Sequence, residues 1–270
     1  MTQTQPPQIG ENQNEYFSAD FGEVRVLTIN RPASRNALNL SLRMNLADEI
    51  LAATDDPSVR AIVITGAGDK AFCAGADLKE MNTLDKAGEK YRSPNRTLFR
   101  NIFDVIGECT KPTIAAINGS AVAGGFELAL ACDIRLAAPG VSLGVPEAKI
   151  GMGANFASVV LPRLLPVGLA LEMLFTGEFI SSEEAARWGL VNHIVPLPEL
   201  VDRAVALGER ICGNSPISVR AMKERALKGL SLPLPAALKL EVGPDPYSSE
   251  DRIEGVTARL EGRKPVWRNR

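Results

Sequence analysis

Glu127 and Glu147 stand twenty positions apart, each in a setting that suits proton transfer. Glu127 lies in Gly124-Gly125-Phe126-Glu127-Leu128-Ala129-Leu130, where paired glycines open an apolar run. Glu147 ends the extended stretch Leu143-Gly144-Val145-Pro146-Glu147 as it enters a loop. A third piece lies upstream, Phe72-Cys73-Ala74-Gly75-Ala76-Asp77-Leu78-Lys79-Glu80. Together they offer two carboxyl groups and two small-residue loops with backbone N–H donors to spare. Carboxyl pairs move protons, and aimed N–H groups hold negative charge on a carbonyl oxygen. The combination suits chemistry next to a carbonyl.

Each piece also has a simpler reading. Gly124-Gly125 permits a helix to pack tightly on a strand, and it equally well bares the first N–H groups of that helix. Glu127 complements a helix dipole, although its apolar flanks require a carboxylate to be paired, protonated or functional. Glu147 also reads as a loop acid beside Lys149. Asp77 suits a helix cap and Lys79 a solvated charge, while Ala74-Gly75-Ala76 leaves backbone open to a ligand.

These groups need a scaffold, and the hydrophobic pattern supplies one. Val24 to Ile29 reads as a strand, and Ala61 to Thr65 and Thr113 to Ile117 as strands buried on both faces. Ile134 to Ala137 reads as a further strand. Leu40 to Ala53 reads as a helix with Leu42, Leu46, Ile50 and Ala53 on one face. Helices are also expected at 96–109, 125–132, 154–165 and 169–175, and from Ser181 or Ser182 until Gly189. The remainder reads as helix at 199–212, 216–228 and 251–261. Strands alternate with helices over two-thirds of the chain and then give way to helices, which defines an α/β core with a C-terminal helical part.

Composition narrows the function. The chain has 270 residues, 45% hydrophobic and 23% charged, enough for a sizeable core. Its net charge is −2, so a general attraction for nucleic acid is not expected. No apolar run reaches membrane-spanning length. Residues 1–15 read as a frayed polar tail without signal-peptide character. Four scattered cysteines, at 73, 109, 132 and 212, point to reduced thiols and a cytoplasmic protein. The single histidine, His193, sits in a short strand-like run, which disfavours a histidine-based hydrolase. Neither a zinc site nor a phosphate-loop or dinucleotide fingerprint is present.

Several motifs occurring in order resemble the crotonase, or enoyl-CoA hydratase/isomerase, superfamily. They are Asn30-Arg31-Pro32 with Arg35-Asn36-Ala37-Leu38, Ala71 to Lys79, Gly124 to Ala129 with Cys132-Asp133, Pro146-Glu147, and Arg263-Lys264-Pro265. The likeness runs from about residue 20 to the end. It implies a spiral of strand-strand-helix units over 16–200, carrying an acyl-CoA site, and a C-terminal helical region over 201–270 that mediates homotrimers or homohexamers. It further implies an acyl-coenzyme A thioester substrate, coenzyme A being part of that substrate, with no separate cofactor and no metal. Ala76 and Gly124 would donate N–H to the thioester oxygen. Arg35, Ala37, Ala74, Asp77, Leu78, Lys79 and Gly125 would line the substrate site, with Lys79 near a phosphate and basic residues near Arg263 in reserve.

The same resemblance assigns Glu127 to water and Glu147 to protonation of the α-carbon, giving a 2-enoyl-CoA hydratase of fatty acid metabolism. The alternatives are another superfamily reaction, such as isomerisation or hydrolysis, and a non-catalytic acyl-CoA-binding or RNA-binding relative. One departure is Asn155, where related hydratases carry glycine. It reads as a helix N-cap or as a polar group in the acyl pocket, for which Met81, Leu84, Phe99 and Met152 are further candidates.

Overall fold

The computed structural model describes residues 14–89 and 101–270. Ten strands form two sheets among these residues: β1 (Tyr16–Phe21), β2 (Val24–Ile29), β3 (Ala61–Gly66), β4 (Ala71–Cys73), β5 (Thr113–Ile117), β6 (Ser120–Val122), β7 (Ile134–Ala137), β8 (Ser142–Gly144), β9 (Ile180–Ser181) and β10 (His193–Ile194). The larger sheet has the order β1-β2-β3-β5-β7-β10, parallel except for the β1–β2 hairpin. The smaller has the order β4-β6-β8-β9, with β4, β6 and β8 parallel and β9 antiparallel. The segments that follow β4, β6 and β8, as the chain leaves the smaller sheet, are the ones that carry Ala76, Gly124 and Glu147.

The helices are α1 (Leu40–Asp55), α2 (Leu78–Lys86), α3 (Ile102–Glu108), α4 (Gly124–Ala131), α5 (Ala157–Leu164), α6 (Val167–Thr176), α7 (Ser182–Arg187), α8 (Leu200–Cys212), α9 (Pro216–Gly229), α10 (Leu234–Ala237) and α11 (Glu250–Glu261). Asn39 caps α1 and Ser181 caps α7 through their side-chain oxygens.

The central strands are buried throughout, and their side chains divide by alternation. Ile62 and Ile64 of β3 enter a core shared with α1, α3 and α4, and with Phe72, Ala121 and Leu143 of the smaller sheet. Ala61 and Val63 enter a second core, on the opposite face, built with Leu200, Ala204, Val205 and Cys212 of α8. That division explains why Ala61 to Thr65 shows no polar face in sequence.

The expected helix at 96–109 is described from Asn101 onward, its side chain capping α3 at Phe103 N; residues 96–100 lie outside the described part. The pattern around 154–165 gives a later start, at Ala157, for a reason that belongs to the site. Strand β1 carries no sequence signal because it is an edge strand with half-exposed side chains. All four cysteines are buried and unpaired. Among the described residues no helix is long and apolar enough to cross a membrane.

Candidate active site

Two backbone segments meet where the sheets join. The first is Ala74 to Asp77, at the end of β4. Residues 35–38 run alongside it: Ala74 N donates to Arg35 O (3.0 Å), Leu38 N to Gly75 O (2.7 Å) and Asp77 N to Leu38 O (3.1 Å). Asn36 holds this loop, its amide nitrogen donating to Ala67 O (3.0 Å) and Ala71 O (2.7 Å) while its oxygen accepts from Arg31 N (3.0 Å). The Arg31 guanidinium adds bonds to Ala37 O (2.6 Å) and Asp77 (2.9 Å). Between the bonded neighbours, the Ala76 N–H has no acceptor among the described residues.

The second segment joins β6 to α4. Ala123 adopts φ 53°, ψ −130°, a strained conformation for a residue with a Cβ. It is held from both sides: its N–H donates to Gly144 O (2.8 Å), and its carbonyl accepts from Phe126 N (2.9 Å) and Glu127 N (3.0 Å). The turn opens α4 at Gly124, whose N–H likewise lacks an acceptor among the described residues. A Cβ on Gly124 would stand 3.8 Å from Ala76 N, so the two open donors are neighbours. Gly75 keeps them so. Its φ is +86°, and a Cβ there would lie 2.9 Å from Gly124 N. Gly125 serves packing, since a Cβ on it would fall 1.9 Å from Cys73 O.

Both glutamates border one cavity of about 330 Å³, walled mostly by apolar groups such as Leu38, Leu78, Phe103, Val122, Met152 and Phe156. Each glutamate is only 6% exposed. Glu127 Oε1 accepts from Phe156 N and Ala157 N, both at 2.9 Å. It therefore caps α5 from a different helix, and Phe156 at the cap position has no side-chain bond of its own. Burial raises the Glu127 pKa above the usual carboxylate value, and the two N–H bonds pull it partly back. Glu147 lies in the short 3₁₀ turn Pro146–Ile150. Its Oε2 is buried with no hydrogen-bond partner among the described residues. Burial, with the Glu127 charge adding to it, pushes its pKa up to about 7.

Of the residues singled out by sequence, Ala74, Ala76, Leu78, Gly124, Glu127, Glu147 and Asn155 border this cavity, as does Met152. Asn155 faces the cavity, and the α5 cap expected of it is supplied by Glu127. Arg35, Ala37, Asp77, Lys79 and Gly125 do not border it, nor do Met81 and Leu84; Phe99 lies outside the described residues. Asp77 caps α2 at Lys79 N and Glu80 N and pairs with Arg31. The Arg35 carbonyl shapes the loop through Ala74, and Arg263 is tied to Glu254 and Glu261. Arg43 of α1 also borders the cavity and was not singled out by sequence. A lone, half-buried arginine in α1, outside every motif, gives no sequence signal.

The fold has close counterparts among known proteins. The enoyl-CoA hydratase from Bacillus anthracis has a TM-score of 0.87 and 35% identity, covering 95% of this chain and 100% of that one. A crotonyl-CoA hydratase from Syntrophomonas wolfei is 38% identical over 90% of this chain and 93% of its own. A carnitinyl-CoA dehydratase from Salmonella enteritidis is 37% identical over 92% and 96% respectively. The enoyl-CoA hydratase/isomerase family model matches residues 21–270. The chain belongs to the enoyl-CoA hydratase/isomerase family and has its mixed α/β crotonase fold. It is an enzyme of that family.

Proposed function

We propose that this enzyme adds water across the 2,3 double bond of a 2-enoyl-CoA, giving a 3-hydroxyacyl-CoA. One observation carries the reading: two buried carboxyl groups with unlike surroundings share an apolar cavity with two open backbone amides. The unlike surroundings separate the roles. Two N–H bonds favour the ionised form of Glu127, the base that takes a proton from water. Glu147 has an unpartnered buried oxygen and a pKa raised to about 7, so it holds a proton at pH values where an ordinary carboxyl has lost it, and serves as the acid. As the water oxygen bonds to C3, the π electrons move onto the thioester oxygen. The Ala76 and Gly124 N–H groups hold that oxyanion, an effect worth roughly 3–4 kcal/mol per donor. Glu147 then delivers its proton to C2. The proton has passed to Glu127, and exchange with solvent restores both groups.

Dehydration of a 3-hydroxyacyl-CoA is the same path reversed, the direction in the name of the carnitinyl-CoA dehydratase relative. Arg43 at the cavity edge is positioned to meet the anionic part of a coenzyme A ester.

The test uses crotonyl-CoA, following loss of the conjugated enoyl-thioester absorbance and the product mass. Gain of one water supports hydration, and Glu127→Gln and Glu147→Gln should each lower kcat by about 10² or more. An isomer of unchanged mass, or near-wild-type turnover in either variant, overturns the assignment.

A further inference from the structure

The wall of the active-site cavity carries few polar side chains. Among the described residues they are the two glutamates, Arg43, Asn101 and Asn155. The glutamates and Arg43 have the roles proposed above. Asn101 is buried, and its oxygen caps α3 by accepting from Phe103 N at 3.2 Å. Asn155 differs from these. It is exposed, it borders the cavity, and the α5 cap it could have supplied comes from Glu127.

The backbone around Asn155 ties it to the reacting centre. Met152 N donates to Glu147 O at 2.9 Å, while Phe156 N and Ala157 N donate to Glu127 Oε1 at 2.9 Å. Residues 152–157 thus bridge the two glutamates, and Asn155 adjoins an amide that holds Glu127. Ala154 O anchors the same stretch, accepting from Ser158 N (2.8 Å) and Ser158 Oγ (2.6 Å). Asn155 therefore presents a polar side chain from a fixed segment.

The space beside its carboxamide is open. The Asn155 side-chain oxygen lies 3.6 Å from where a Cβ on Gly153 would stand. Apart from chain neighbours, no other described atom comes within 4 Å of that point. Gly153 also borders the cavity, and the nearby wall is apolar: Met152, Phe103 and Phe156, the two rings 5.4 Å apart. A carboxamide in such a wall can both accept from and donate to one polar group of a bound acyl chain.

On the basis of the hydration reading, we propose that Asn155 selects 2-enoyl-CoA substrates that carry a hydroxyl group on the acyl chain beyond C3. The order of the site gives the position. The thioester oxygen lies at Ala76 and Gly124, C2 at Glu147 and C3 at Glu127. The carbons after C3 then meet the residue that adjoins the amide partners of Glu127, which is Asn155. A hydroxyl taken from water into an apolar pocket needs a replacement partner, and the carboxamide supplies it. A site that hydrogen-bonds a hydroxyl also discriminates against the analogue lacking it, which a purely apolar pocket does poorly.

The experiment measures kcat/KM on two isosteric pairs. One is 4-hydroxybut-2-enoyl-CoA against pent-2-enoyl-CoA, the other 5-hydroxypent-2-enoyl-CoA against hex-2-enoyl-CoA. The ratio within each pair, hydroxylated over plain, is compared between wild type and Asn155→Leu, so that the intrinsic reactivity of the substrates cancels. In at least one pair the ratio should fall about tenfold, as expected for one lost hydrogen bond. Asn155→Ala should lower the same ratio, which separates loss of the carboxamide from the bulk of leucine. A ratio that falls with leucine but not with alanine overturns the proposal. So do ratios unchanged in both pairs, including the case where kcat drops equally on both members and the carboxamide serves the reacting water. Hydration of the plain substrates with unchanged ratios leaves the hydration reading standing, whereas hydration of none of the four overturns both.

Discussion

Glu147 ties activity and stability to the same proton. Its folded pKa, about 7, lies above the ordinary 4.5, so the native state holds this proton more tightly than the unfolded chain does. The favourable contribution is complete below pH 4.5 and has been lost once pH passes 7. Glu147→Gln removes the ionisable group while keeping its shape. The variant should therefore gain in melting temperature over wild type as pH rises from 4.5 to 7, with the gain levelling off above; a difference independent of pH contradicts the reading. Wild-type turnover should fall over the same rise through 7, where the acid is lost. Glu127 answers to a different constraint. Its two amide bonds make it a structural cap as well as a base, and losing a cap costs roughly 1 kcal/mol. Glutamine retains an acceptor oxygen there, so Glu127→Gln tests the chemistry with less damage than Glu127→Ala.

At the scale of elements, one turn and one strand end fix the pair of open amides. Gly75→Ala places a Cβ against Gly124 N and Val122 O, each at 2.9 Å, on a backbone with φ +86°. The expected outcome is a kcat lower by on the order of a hundredfold with modest change in KM, since the amide is displaced at the charge-bearing oxygen; unaltered kcat would show that these N–H groups do not act there. Much of this region was legible in sequence. The buried strands, α1 and the cavity positions of Glu127, Glu147, Ala76 and Gly124 all follow from local pattern or from motif. What could not be read was which neighbour takes which bond. Asn155 satisfies every local criterion for an N-cap, yet the amides of α5 go to a carboxylate 29 residues earlier. Asp77 and Arg35 resemble ligand-site residues within their motif, and the fold uses them for a helix cap and a loop bond. Strands β4, β6, β8 and β9 have two or three residues each, too few for any periodicity to show.

For the whole molecule, the apolar surface is extensive. Phe175, Leu230, Leu234, Leu238 and Leu260 are each at least 70% exposed, and most of them belong to the C-terminal helical part. The family resemblance implies a homotrimer or homohexamer, whose assembly would cover part of this surface. Light scattering should give three or six times the chain mass of 28.9 kDa, and a monomer at micromolar concentration would refute it. The order of the smaller sheet has a consequence for the kinetics of folding. Its strand β4 pairs with β6, bringing Ala71 against Ser120, and β6 pairs with β8 across another excursion. No short contiguous fragment carries these contacts, and closing such long loops is slow compared with winding helices. Refolding chains should thus regain ellipticity before they regain turnover, and catalysis becomes the clock for the last long-range contacts to form.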